Sequence, residues 1–126
     1  MNSGVLVLEA DALQRDLIVM GLRRAGLEPL VCQQSDDVAQ MLLTHKPGLM
    51  ILDLTQPDRN GLDLLAELRQ AGLLVLTRVI VISALTFPDV VKRATRLGVA
   101  AFLAKPIDVD LLLDRVESIL RSREQD

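Results

Sequence analysis

Glu9, Asp53, Ser83 and Lys105 each stand directly after a short apolar run of the 126-residue chain: "VLVL" (5–8), "LMIL" (49–52), "VIVI" (79–82) and "AAFLA" (100–104). Two carboxylates, a hydroxyl and an ammonium form a chemically coherent set. A carboxylate can accept a phosphoryl group as an acyl phosphate, while a fixed cation and a hydroxyl bond the oxygens that arrive with it. In that reading Asp53 is the nucleophile, Glu9 is the acid opposite it, and Lys105 and Ser83 are the oxygen partners. Each residue has a plainer use when taken alone. Asp53 would cap a helix or a turn, Ser83 would satisfy a loop, and Lys105 before Pro106 would be an ordinary extended junction. The combination points to chemistry. In "GVLVLEADALQRD" (4–16), however, Ala10 separates Glu9 from Asp11. Acids delivered by a strand end suit a hard cation, and a methyl group can hold none.

The elements that must position these residues follow from the hydrophobic pattern. Runs 5–8, 49–52 and 79–82 are apolar on consecutive positions, as expected of central parallel strands covered on both faces. "PLVC" (29–32) carries Pro29, which belongs on an edge strand, and 100–104 is a short fifth strand. Between them lie helix-period segments: Leu13, Leu17, Met20 and Leu22, then Val38, Met41 and Leu42, then Leu62, Leu65 and Leu68. Gly26, Pro47 and Gly72 stop these segments in turn. Ser35 is the expected N-cap of the second helix, with Asp36 and Asp37 at its positive end. Pro88 and Asp108 open the fourth and fifth helices. Alternating strands and helices predict a doubly wound α/β domain of five strands and five helices. In such a sheet ligands sit beyond the carboxyl ends of the strands, which is where the four polar residues converge.

Size and composition exclude several classes. The length suits one domain, 1–126, with about 121–126 as a tail or the start of a linker. Half the residues are hydrophobic and only 2% are aromatic, so the core is aliphatic. A net charge of −3 gives no basic face for nucleic acid, and no direct binding to it is expected. Cys32 is the only cysteine, which suits a reducing compartment and a small buried role. No leader or membrane span is evident, and the reading is cytoplasmic. His45, the only histidine, sits near the end of the second helix, where a cation suits the dipole.

"VLVLEADALQRDLI", "MILDLTQPDRNGLDLL", "VIVISAL" and "AAFLAKPID" resemble, in order, the signature blocks of the receiver domain of two-component response regulators. The resemblance covers nearly the whole chain, and "ILDLTQPDRNG" is its strongest element. It implies a flavodoxin-like sheet of order 2-1-3-4-5, with Asp53 accepting a phosphoryl group from a histidine kinase or phosphotransfer protein. It further implies that Thr55 offers its backbone carbonyl to Mg²⁺ alongside Glu9 and Asp53, that Ser83 and Phe102 are switch residues, and that Lys105 contacts the phosphate. Phe102 also has a packing use, since one ring in an alanine-rich segment anchors a core. The family's first strand ends in two adjacent acids, and here the second is Ala10. Asp11, one place on, is the available substitute, and the metal dependence is expected to be weakened.

Two readings follow. One is a phospho-receiver with an impaired metal site; the other is a pseudo-receiver that acts by protein contact without phosphorylation. A haloacid dehalogenase-type phosphatase would need a second aspartate where Thr55 stands and a cap domain as well, and a flavin protein would need a stacking Trp or Tyr. The chain is not expected to be a dedicated enzyme. Leu111, Leu112, Leu113, Val116, Ile119 and Leu120 form a stripe wider than one buried face requires. In receivers the fourth helix, fifth strand and fifth helix meet partners, so the surplus suits a homodimer or an output domain on that face, and equally an ordinary core face.

Overall fold

In the computed structural model, residues 4–125 are described, the side chains of 123–125 excepted. Five strands form one parallel sheet: β1 (Gly4–Leu8), β2 (Glu28–Val31), β3 (Leu49–Asp53), β4 (Arg78–Ser83) and β5 (Ala101–Ala104). Their order is β2-β1-β3-β4-β5, as the resemblance implies. Every residue of β1 and β3 is buried, which is why both strands read as unbroken apolar runs. The two edge strands, β2 and β5, are only half covered.

Helices α1 (Ala12–Arg24) and α5 (Val109–Gln125) cover one face; α2 (Val38–His45), α3 (Gly61–Gln70) and α4 (Pro88–Arg96) cover the other. Val5, Val7, Ile51, Ile80 and Ile82 face the first pair together with Ile18, Leu22, Leu112 and Val116. Leu6, Leu8, Met50, Leu52, Val79 and Val81 face the other three helices. This alternation along each strand is the period of two that any pleated strand imposes. Among the described residues, no helix is long and apolar enough to cross a membrane.

The termini of the helices explain their lengths. Asp11 caps α1 by accepting from the Gln14 amide at 3.1 Å, and Asn60 caps α3 by accepting from those of Leu62 and Asp63. Gly26 and Gly72 end α1 and α3 at φ of 79° and 76°, where a side chain would be strained. Before Pro47, Lys46 takes the left-handed position at φ 47°.

Two sequence expectations are corrected. Leu13, Leu17 and Met20 do not join the core; they are 70%, 46% and 52% exposed, and of the four residues assigned to that stripe only Leu22 is buried. The buried line of α1 is Ile18, Gly21 and Leu22, offset by one residue from 13-17-20. The offset arises because α1 lies close against α5 at Gly21, where an added Cβ would come 3.0 Å from Val109 Cγ1. Nor does Ser35 cap α2. It opens a 3₁₀ turn (Ser35–Asp37) and gives its hydroxyl proton to Asp58, while Asp37 takes the N-cap position of α2. The last helix, α5, runs to Gln125, and Asp126 lies outside the described residues.

Candidate functional site

β1 and β3 run side by side, with Leu8 opposite Leu52, so Glu9 and Asp53 leave the sheet at neighbouring points. Strand order reverses here, since the chain passes from β1 outward to β2 and then back to β3. Asp53 pairs with Ile82 of β4, which puts Ser83 one residue farther on; Ser83 in turn pairs with Ala104, and Lys105 follows it. All four residues thus meet at one corner of the sheet.

Lys105 Nζ donates to Asp53 Oδ2 at 2.6 Å and to Glu9 Oε1 at 3.0 Å. Glu9 and Asp53 are 1% and 2% exposed, so one ammonium serves two buried carboxylates. Burial pushes the Glu9 carboxyl up to about 7, with neighbouring Asp53 acting in the same direction and Lys105 against it. Burial alone would lower the Lys105 ammonium, but its bonds to Asp53 and Glu9 outweigh that and hold it above the usual range. The Lys105–Pro106 peptide is cis.

The remaining bonds fix the Asp53 carboxylate. Asp53 Oδ1 accepts from the Thr55 amide at 2.9 Å. The Gln56 amide nitrogen donates to the carbonyls of Asp53 and Leu8 at 2.7 and 3.2 Å. Ser83 is fully buried, and its Oγ accepts from the Leu85 amide at 2.9 Å. That bond uses a lone pair and leaves the hydroxyl proton free to be donated. A groove of about 360 Å³, lined by Leu54, Thr55, Gln56, Arg59 and Leu85 among others, opens beside the loop that follows β3. Phe102 pairs with Val81 and packs, half-buried, against the core beneath α2–α4.

Among the described residues, no cluster of three or more His, Cys, Asp or Glu is placed to hold a metal ion. Ala10 offers nothing, and Asp11 is engaged as the cap of α1. Two buried carboxylates sharing one ammonium nevertheless leave a net negative charge. Mg²⁺ needs only one or two carboxylates with water filling the rest, so Glu9 and Asp53 fit it as a reduced set.

Sequence reasoning missed three residues here. Asn60 had a visible signal, an N-cap type directly before the periodic "GLDLL". Gly61 follows it, and a Cβ at Gly61 would meet Leu54 Cα at 2.5 Å, so the return of this loop depends on a glycine. Gln56 had no signal, because a loop carries no periodicity.

Comparison with known proteins agrees with this geometry. The profile of the response regulator receiver domain matches residues 5–117. Transcriptional regulatory protein PdtaR of Mycobacterium tuberculosis is 32% identical over 123 residues, 95% of this chain and 58% of that protein. Sensory/regulatory protein RpfC of Xanthomonas campestris is also 32% identical, over 96% of this chain and 17% of its own length. The chain therefore spans only part of these curated relatives. The signal receiver domain of a putative Luxo repressor protein from Vibrio parahaemolyticus superposes with a TM-score of 0.90 at 27% identity, covering 99% of this chain and 95% of that one. A response regulator signal receiver domain from Bermanella marisrubri gives 0.86 at 29% identity, covering 95% and 99%. Receiver domains are signalling modules, not dedicated enzymes, and they generally bind Mg²⁺. With the strand order, the corner of carboxylates and lysine, and the matched span all in agreement, this chain belongs to the response regulator receiver domain family.

Proposed function

We propose that this chain accepts a phosphoryl group on Asp53 in a two-component phosphorelay, with weakened dependence on Mg²⁺. The observation that carries the reading is the Lys105–Asp53 contact at 2.6 Å inside a buried corner that also holds Glu9. A carboxylate oxygen of Asp53 attacks phosphorus, the bond to the donor nitrogen or oxygen breaks, and its electron pair leaves with the donor. Lys105 and the free proton of Ser83 then bond the oxygens of the new acyl phosphate. Glu9, Asp53 and the Thr55 carbonyl would hold Mg²⁺, which would supply positive charge against the phosphoryl group. The donor is a histidine kinase or phosphotransfer protein, and the setting is cytoplasmic.

Residues 1–126 act as one receiver unit. Its output runs through α4, β5 and α5, to a second copy or to an output domain, without membrane or direct nucleic acid contact. Leu111 on α5 and Phe87 at the start of α4, 44% and 67% exposed, support that surface.

The missing carboxylate at Ala10 favours a second reading, a pseudo-receiver that works by protein contact alone. Incubation with acetyl phosphate, with and without Mg²⁺, followed by intact mass separates the two. The expected result is a gain of one phosphoryl group in wild type, slowed only in part when Mg²⁺ is withheld, and none in Asp53→Asn. No gain under any condition would establish the pseudo-receiver; a gain that persists in Asp53→Asn would move the acceptor elsewhere.

A further inference from the structure

We infer that Gln56 is a positioning residue for the Asp53 carboxylate, acting through the turn that joins them; the inference rests on the reading of Asp53 as phosphoryl acceptor. Leu8 and Asp53 end two neighbouring strands. The amide nitrogen of Gln56 carries two hydrogens, enough to serve one carbonyl at the end of each strand. It reaches Asp53 O at 2.7 Å and Leu8 O at 3.2 Å, which closes the 53–56 turn back onto the sheet.

Inside that closed turn lies the Thr55 amide, which donates to Asp53 Oδ1 at 2.9 Å. One side of the turn is fixed by the Leu54 amide, bonded to Ile82 O at 3.2 Å; the other side is fixed by Gln56. The final torsion of an aspartate is soft, so bonds at its two oxygens set its orientation. Lys105 holds Oδ2, and the Thr55 amide holds Oδ1 only while the turn stays closed. Gln56 is not needed to pair the strands, since four registered residue pairs already join β1 to β3. Its bonds also carry no net charge, so they do not add to the imbalance among Glu9, Asp53 and Lys105.

The test is Gln56→Met, which keeps the reach and removes both donors. Two quantities are followed: amide hydrogen exchange at Thr55 and at the core residue Ile80, and the kinetics of labelling by acetyl phosphate. Loss of hydrogen bonding in the turn should speed Thr55 exchange about tenfold and leave Ile80 unchanged. The saturating labelling rate should fall by a similar factor, with the half-saturating donor concentration unchanged. Thr55 exchange at the wild-type rate would overturn the inference, as would Thr55 and Ile80 accelerating together. Should the Met variant fail to fold, Gln56→Asn, which stays polar but falls short of both carbonyls, is read in the same way. Wild type that takes up no label would overturn the acceptor reading, while the exchange comparison would still decide whether Gln56 holds the carboxylate.

Discussion

Burial, and then the neighbouring Asp53 carboxylate with which it shares one ammonium, make Glu9 the residue whose charge is hardest to keep. In the folded protein its carboxyl is raised to about 7, whereas an unhindered one titrates near 4.5. Between those values the native state binds more protons than the unfolded chain, so stability falls as pH rises. The contribution is complete below the lower value and is lost as pH passes through the upper one. Lys105 stays charged throughout, because its own shift is upward. With a chelator present, the wild-type melting temperature should therefore decline from about pH 5 to about pH 8, and Glu9→Gln, which cannot ionise, should flatten that slope. Equal slopes in the two proteins would show that Glu9 is ionised throughout the range.

At the level of elements, the loop between β3 and α3 is held by a close backbone approach. Gly61 donates to Leu54 O at 2.9 Å, and an added Cβ would lie 2.5 Å from Leu54 Cα. Gly61→Ala must push the loop outward, which should cost about 2 kcal/mol in a urea titration, the scale of overpacking a tight site. A wild-type midpoint would mean that the loop yields freely. This loop also marks where the sequence was legible and where it was not. The strands could be read because burial on both faces leaves an unbroken apolar run, and the convergence of Glu9, Asp53, Ser83 and Lys105 followed from the geometry of parallel sheets alone. Leu13, Leu17 and Met20 misled because helical spacing shows that a stripe exists, not which of two adjacent stripes the neighbouring helix will cover. Ser35 misled because a tertiary partner, Asp58, competes for the hydroxyl that a cap would use. Gln56 and Gly61 act through backbone atoms of distant residues, which no local pattern encodes.

For the molecule as a whole, the charge balance at the corner bears on stability. Ala10→Asp would add an acid next to Glu9 and near Asp53, with Lys105 the ammonium already shared between them. The variant should melt below wild type without Mg²⁺ and gain more than wild type when the ion is added, because a ligand that binds only the folded state raises the midpoint by mass action. Equal gains would mean that Glu9, Asp11 or water already completes the site, and that the alanine is tolerated. The half-buried ring of Phe102 has an optical consequence. The chain contains no tryptophan or tyrosine, so it is nearly dark in the near ultraviolet. Phe102→Trp would make that position its sole indole emitter, on the edge strand beside α4 and α5, and indole emission shifts to shorter wavelength as water leaves it. Whatever comes to cover that face would announce itself as a change of colour.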